Sequence, residues 1–207
     1  MACALVSMTI ATGMAQAQGT GSAKATESGV TVYGGYRGST QLTEATTGQN
    51  VYLNSSASYA LAVDFGIDPT KQWEIFYSRQ KTEMTSAGFS AAANNVPLTI
   101  QYLHFGGTYF SQGIGNGVYV AGGLGATLLE PDRAGLNSVA KASMSLSAGV
   151  LVPIGKNLGL RLEARGYATL LNNSGGMFCG SNTGCTVTVK GSALYQGEAL
   201  VGLSARF

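Results

Sequence analysis

Apolar and polar residues alternate along much of this chain, and its last stretch shows the pattern most simply. Every second position there is apolar or small: Gly197, Ala199, Val201, Leu203, Ala205 and Phe207. The intervening positions are mostly polar, with Leu200 as the exception. A period of two is typical of a β-strand that has one apolar face and one polar face. The sequence therefore predicts a strand over residues 194–207.

Seven further segments with the same alternation precede it, so that eight strands are predicted in all. They cover residues 30–38, 59–66, 72–81, 98–110, 118–128, 141–152 and 160–170. Most of them reach the ~9–11 residues that a tilted membrane-crossing strand needs, whereas strands in soluble domains are usually nearer ~5–6. The lengths therefore favour strands that cross a membrane.

The connections between these strands alternate in length. Long polar connections cover residues 39–58, 82–97, 129–140 and 172–193, and short turns cover 67–71, 111–117 and 153–157. This alternation is typical of membrane barrels that have long extracellular loops and short periplasmic turns. A barrel must also close, because hydrocarbon offers no partner to an open sheet edge. The sequence therefore predicts an all-β fold, a closed antiparallel up-and-down eight-stranded transmembrane β-barrel over residues 29–207.

Composition agrees with this fold class. Charged residues make up 11% of the chain, against ~25% in typical soluble domains. Glycine occurs 30 times and proline 4 times, and no run approaches the ~18 consecutive apolar residues of a membrane helix. The net charge of +2 is small and no basic patch stands out, so a nucleic-acid partner is not expected.

The first residues indicate export. Residues 1–17, MACALVSMTIATGMAQA, are apolar and small, and Ala15-Gln16-Ala17 matches the small-x-small pattern of a secretory cleavage site. A charged n-region is missing, and an N-terminal core helix is the alternative, although no amphipathic face supports it. We therefore predict a signal peptide over residues 1–17 and a flexible mature N-terminus over residues 18–28.

Cysteine usage fits an exported protein. Cys3 lies in the predicted signal peptide, and Cys179 and Cys185 lie six positions apart in a long connection rich in small polar residues. An even cysteine count in an exported chain predicts a disulfide, which here would staple one loop. Two thiols and a single remote histidine do not suffice for a metal site. We expect no metal and no cofactor.

Assigning the apolar face of each strand to lipid places the polar face in the lumen. The charged residues predicted there are Asp64, Glu74, Arg161, Glu163, Arg165, Glu198 and Arg206. The interior of an eight-stranded barrel is just wide enough for side chains to fill it, so buried charges must pair. One interpretation is a structural ionic network that plugs the barrel. The other is a narrow gated pore or ligand cavity lined by the same charges.

Aromatic residues near the predicted strand ends suggest interfacial girdles. Phe65, Trp73, Phe110 and Phe207 belong to the turn side, and Tyr59 and Tyr77 lie toward the loops. The intrinsic preference of Tyr and Phe for strands is the alternative explanation.

Catalysis is not expected. His104 is the single histidine, and its surroundings, QYLHFGGTY, contain no serine that could act as the nucleophile of a Ser-His hydrolase. The Gly-rich stretch at residues 122–126 lies inside a predicted strand and precedes no helix, so it does not indicate a phosphate-binding loop. We predict no catalytic residue, and a hydrogen-bonding or interfacial role for His104.

The terminal segment YQGEALVGLSARF, the export signal and the loop alternation together resemble small outer-membrane β-barrel proteins of Gram-negative bacteria, the OmpA-transmembrane-domain and OmpX-like group. The resemblance implies that Tyr195, Leu203 and Phe207 belong to a signal read by the barrel-assembly machinery. It also implies a monomer in the bacterial outer membrane, surrounded by outer-membrane lipid.

Two functions remain open. The first is a structural or surface-interaction barrel with a plugged lumen, whose long loops contact an extracellular ligand or a host surface. The second is a narrow pore or small-molecule transport barrel resembling the OmpW-like group. Apolar residues lining the lumen near the loops would favour transport, and the charged lumen favours the first function. A soluble lipocalin-like carrier would have the opposite face assignment.

Overall fold

The computed structural model describes residues 27–39, 42–44, 50–86, 95–132, 137–171, 176–180, 184–190 and 193–207. Every regular element in these ranges is a β-strand. In chain order they are β1 (Gly29–Ser39), β2 (Leu42–Glu44), β3 (Asn50–Leu53), β4 (Ser56–Gly66), β5 (Lys71–Ser86), β6 (Asn95–Phe110), β7 (Gly117–Pro131), β8 (Val139–Pro153), β9 (Leu158–Leu170), β10 (Gly176–Gly180), β11 (Gly184–Lys190) and β12 (Ala193–Arg206). Within these ranges, no helix has the length and apolarity needed to cross a membrane.

Eight long strands form a closed barrel in the order β1-β4-β5-β6-β7-β8-β9-β12. Each pairs antiparallel with the next, and β1 pairs with both β4 and β12, which closes the ring. The short strands β2, β3, β10 and β11 extend the sheet from the loop end of β5. The predicted closed antiparallel eight-stranded barrel is therefore confirmed.

Several strands are longer at the loop end than predicted. Strand β5 runs to Ser86 rather than residue 81, and β7 runs to Pro131 rather than residue 128. In these extensions the outer face carries Glu83 and Glu130, whereas Met84 and Leu129 are buried inside, so the apolar-outside alternation stops before the backbone ladder does. The alternation therefore marks the apolar band of each strand rather than its full length.

The outer surface carries a broad band of exposed apolar side chains. Leu146 and Leu124 are 73% and 68% exposed, whereas the inward-facing Phe76 is fully buried. Trp73 and Phe105 stack on this outer surface with ring centroids 5.2 Å apart. A soluble barrel would place its apolar side chains inside, so this distribution is that of a barrel whose surroundings are apolar.

The short turns lie at one end of the barrel. The start of β1 and the end of β12 lie at the same end. In the β4–β5 turn, the Asp68 carboxylate accepts hydrogen bonds from the backbone N–H of Thr70 at 2.7 Å and of Lys71 at 2.9 Å. The bonds from Thr70 lower the pKa of Asp68 to about 2. Ser28 and Phe207 exchange backbone hydrogen bonds of 3.1 and 3.0 Å beside the β1–β12 ladder. The long connections lie at the opposite end.

Candidate functional site

Five charged side chains form a network inside the lumen toward the turn end. Arg161 Nη1 lies 2.8 Å from Asp64 Oδ2, while Arg165 lies 2.7 Å from both Glu74 Oε1 and Glu163 Oε1. Longer contacts of 3.6 and 3.7 Å join Arg161 to Glu74 and Glu163. All five residues are at most 5% exposed. We call this group the turn-side network.

The turn-side network is held together by the strand register. Asp64 on β4 lies directly opposite Glu74 on β5, so two carboxylates of like charge are neighbours. Like charges opposite one another destabilise a sheet, and Arg161 on β9 offsets this by contacting both. The arrangement therefore requires the guanidinium to reach across the lumen.

Hydroxyl groups and aromatic rings complete the turn-side network. Three carboxylates face two guanidinium groups, and Tyr119 and Tyr33 each donate a hydrogen bond to Glu163 Oε2, at 2.7 and 3.3 Å. The guanidinium of Arg165 lies 3.6 Å from the centroid of the Phe76 ring. These ion pairs and hydrogen bonds offset the cost of burying the charges, although Asp64 Oδ1 and Arg161 Nη2 have no hydrogen-bond partner among the described residues.

A second ionic site, the Arg37–Glu198 pair, lies nearer the loops. Arg37 Nη2 is 3.0 Å from Glu198 Oε1, and both side chains are fully buried. Ser78 and Tyr167 add hydroxyl contacts to the same carboxylate. The Arg37 guanidinium also lies 4.9 and 5.0 Å from the ring centroids of Tyr102 and Tyr167. This pair is therefore enclosed by aromatic rings.

The sequence predicts Glu198 as one of the lumen charges but does not identify Arg37 as its partner. The β1–β12 register sets Arg37 directly opposite Glu198. Thr31 shares the face of Arg37, while Val30 and Val32 lie on the other face. This alternation in β1 was the available signal, and the glycines and tyrosines between these positions weakened it.

Arg206 lies apart from the other predicted lumen charges, at the mouth of the turn end. Its Nη1 is 2.9 Å from Glu27 Oε2, and its side chain is 12% exposed. Gly115 makes room for it: its φ is +96°, and an added Cβ would lie 1.6 Å from Arg206 Nη1. Since Arg206 ends β12, its side chain reaches the barrel mouth rather than the turn-side network.

Polar side chains also fill the lumen between the Arg37–Glu198 pair and the loops. Tyr102 and Tyr167 stack at 4.1 Å, and the Tyr102 hydroxyl donates to Gln196 Oε1 at 2.6 Å. His104 Nε2 lies 2.8 Å from Ser143 Oγ. The residues that flank His104 in the sequence include no serine, because Ser143 comes from β8 rather than from the same strand.

The His104–Ser143 contact crosses over Gly125 on β7, which lies opposite both residues in the strand register. An added Cβ at Gly125 would lie 1.9 Å from the Leu103 carbonyl oxygen and 2.8 Å from the His104 ring. His104 Nδ1 has no hydrogen-bond partner in the part of the chain that is described. A Ser-His-acid triad also has a carboxylate on that nitrogen, and none of the described residues supplies one here.

Apolar side chains close both ends of the lumen. The layer beneath the loops consists of Leu53, Met84, Leu98, Ile100, Leu129 and Leu194, all buried. At the turn end, Phe110, Tyr119 and Leu151 pack with Ile114, so Phe110 faces inward and is not part of an outer girdle. A cavity beside Arg161 measures about 10 Å³, close to the minimum that holds one water.

Solved structures with the same architecture cover nearly the whole chain. Neisserial surface protein A has a TM-score of 0.58 at 13% identity, over 87% of this chain and 97% of its own. Outer membrane protein OprG from Pseudomonas aeruginosa gives 0.55 at 10% identity, over 89% and 97%. Outer membrane protein AlkL gives 0.52 at 13% identity, over 95% and 96%.

The chain has the fold of a small outer-membrane β-barrel. No protein-family model matches its sequence, and no curated protein matches it either. The likeness therefore concerns architecture, and the chemistry of the site must be argued from the residues of this barrel.

The other predicted site residues lie outside the lumen. Tyr195, Leu203 and Phe207 face outward from the barrel, with 56%, 54% and 75% exposure. Cys179 on β10 lies opposite Cys185 on β11 in the backbone register, and their side chains are outside the described part of the chain. The predicted signal peptide, residues 1–17, also lies outside the described residues, as do residues 18–26 of the predicted mature N-terminus.

Proposed function

We propose that this protein is an integral outer-membrane β-barrel with a structural or surface-interaction role, and that its lumen is plugged. The observation that carries the proposal is the inverted distribution of side chains. Exposed leucine, valine and aromatic residues cover the outside, while Arg37, Arg161 and Arg165 are the largest fully buried side chains among the described residues. Only an apolar surrounding makes such an exterior favourable.

The plugged lumen follows from the packing of the side chains. The two ionic sites hold their charges in contacts of 2.7 to 3.7 Å. Apolar layers lie above and below them. Passage of an ion requires these buried charges to separate, which leaves each of them unpaired at a cost of several kcal/mol. The proposed role is therefore that of a stable platform for the long loops.

Location and assembly are part of the same proposal. Residues 1–17 act as a signal peptide, and the outward-facing Tyr195, Leu203 and Phe207 are read by the barrel-assembly machinery of a Gram-negative cell. The loops then face the exterior and present a surface to an extracellular ligand or host surface. The opposed backbone positions of Cys179 and Cys185 support a disulfide that staples one loop.

A narrow pore or small-molecule transport barrel of the OmpW-like type is the second candidate. The apolar layer beneath the loops favours it, because an inward-facing apolar surface near the loops is what a small hydrophobic molecule needs. Against it, Ile100 and Leu194 in that layer are fully buried. Transport therefore requires this layer to open.

Single-channel conductance in planar bilayers tests the two candidates. The protein is refolded in detergent, and its folding is verified by heat-modifiable migration on a gel. We expect a folded and inserted barrel to be silent. Discrete openings that change in Glu163→Gln but persist unchanged in Lys156→Gln, a variant in an exposed turn, would overturn the plugged lumen and establish the pore.

A further inference from the structure

Two cations, Arg79 and Lys81, lie on the outside of the barrel just beyond the apolar band, and neither forms an ion pair with another described residue. The outward-facing residues of β5 run from Trp73 through Ile75 and Tyr77 to Arg79 and Lys81. The apolar series thus ends at Tyr77, and the next two outward positions are cationic. Tyrosine at the limit of an apolar band is typical of the membrane–water interface, so the cations lie at headgroup level.

Neither cation has an acidic partner among the described residues. Arg79 and Lys81 form no ion pair there, and Arg79 Nε is buried without a hydrogen-bond partner. By contrast, Lys71 at the turn end of the same strand lies 3.2 Å from Asp68 Oδ2. Arg79 and Lys81 are therefore available to an external anion.

A groove of about 280 Å³ lies beside the two cations. Thr99 on β6 and Glu130 and Asp132 around the end of β7 line it together with Arg79 and Lys81. These two carboxylates, and that of Glu83 at the next outward position of β5, could neutralise the cations, but none of the three forms an ion pair with Arg79 or Lys81 among the described residues. In the β5–β6–β7 register, Lys81 lies opposite Thr99 and Thr99 opposite Glu130, so a full strand separates Lys81 from Glu130.

A hydrogen-bond chain holds Glu130 in that position. The Tyr77 hydroxyl donates to Gln101 Oε1 at 2.6 Å, and Gln101 Nε2 donates to Glu130 Oε2. The carboxylate is thereby tied to β6 and not to Arg79 or Lys81. The space between the two cations and Thr99 remains open to a ligand with several acceptor oxygens.

The spacing of the cations suits a phosphate group. Residues two apart on one face of a strand are separated by about 7 Å, so two long side chains can bracket one tetrahedral anion. Arginine binds phosphate through its planar fork and lysine as a point charge. The hydroxyl of Thr99 is a further donor at the same groove.

We propose that Arg79 and Lys81, with Thr99, bind the phosphate of a lipid headgroup in the membrane leaflet at the loop end. The inference rests on the proposed function, because a lipid reaches this groove only when the barrel is inserted. Lipid is the favoured source, since the groove opens onto the outer surface directly beyond the apolar band, where headgroups lie.

The test measures binding of phosphatidic acid to the barrel in phosphatidylcholine nanodiscs, by native mass spectrometry over a series of lipid fractions. The variant Arg79→Gln/Lys81→Gln removes both cations. We expect its affinity for phosphatidic acid to fall about tenfold or more, because each cation near the surface contributes to the attraction of an anionic headgroup. The matched control is Lys71→Gln/Lys156→Gln, which removes two cations at the turn end, and we expect its affinity to stay within twofold of the unmodified protein.

The outcomes distinguish a failure of the proposed lipid site from a failure of the barrel to fold. Equal loss in both double variants, or no loss in either, would overturn the proposed site. Displacement of phosphatidic acid by equimolar inorganic phosphate would assign the groove to a soluble anion and overturn the lipid source. Heat-modifiable migration is recorded for every variant, so a failure of the barrel to form would count against the proposed function and not against this site.

Discussion

The two ionic sites of the lumen stabilise buried charges in different ways. The turn-side network joins three carboxylates and two guanidinium groups from β4, β5 and β9, whereas the Arg37–Glu198 pair joins one of each across the β1–β12 ladder. The network depends on many charge contacts, and the pair depends on two tyrosine rings around a neutral ion pair. The network should therefore be the more sensitive to losing one member.

The largest expected effect is that of Arg161→Met. The change removes the guanidinium that contacts both Asp64 and Glu74, so two opposed carboxylates lose their shared partner in a buried site. We expect the free energy of unfolding to fall by about 3–5 kcal/mol, measured by urea unfolding in lipid vesicles. Arg206→Gln is the control at the partly exposed mouth, with an expected loss of at most about 1 kcal/mol. Equal losses in the two variants would contradict a special role for the turn-side network.

Glu198→Gln should have a somewhat smaller effect. It leaves the buried Arg37 without a counter-charge, but the rings of Tyr102 and Tyr167 still face the guanidinium and offset part of the cost. We expect a loss of about 2–3 kcal/mol in the same urea measurement. The double variant Arg37→Met/Glu198→Met should recover most of this loss, because no unpaired charge remains. A double variant less stable than the single one would show that the pair itself stabilises the barrel.

Tyr119→Phe tests the hydroxyl groups that complete the turn-side network. It removes the 2.7 Å hydrogen bond to Glu163 and leaves the ring in place. We expect a loss of about 1–2 kcal/mol, obtained from urea unfolding at neutral pH. Tyr109→Phe is the matched change on the outer face, where Tyr109 is 48% exposed. We expect it to leave the free energy of unfolding nearly unchanged. The idea fails if both variants unfold at the same urea concentration.

Asp68→Asn should have the smallest effect and a distinct pH dependence. The folded-state pKa of Asp68 is lowered to about 2, so its contribution to stability is present above the unfolded value of ~4. That contribution is lost as the pH falls through about 2. The difference in urea midpoint between Asp68→Asn and the unmodified protein should therefore shrink between pH 5 and pH 2. A difference that stays constant over this range would contradict the lowered pKa of Asp68 in the folded state.

The alternation of residues predicted the fold because lipid and lumen impose opposite demands on neighbouring positions. That rule placed Glu163 and Arg165 inside and Leu162 outside, and it predicted the loop alternation from residue spacing alone. It did not predict contacts between distant strands. Ser143 approaches His104 only because Gly125 lies between them in the register, and no local pattern encodes such an alignment.

The apolar layers inside the lumen were missed for a related reason. A period of two assigns apolar residues to the lipid face, so an inward Leu98 or Phe110 carries no signal of its own. Beneath the loops and at the turn end, the lumen no longer needs to hold charges, and apolar packing is sufficient there. The sequence rule therefore holds best at the middle of the barrel and weakens toward both ends.

The Arg37–Glu198 pair has a consequence for how the barrel forms. Its two residues are separated by 161 positions in the sequence, and they meet where the first strand pairs with the last. Contacts of such long range are slow to form, and this one arises only when the ring of strands closes. We therefore expect the ion pair to form late in folding, and a spectroscopic probe on Tyr167, whose hydroxyl contacts Glu198, would report when β1 and β12 pair.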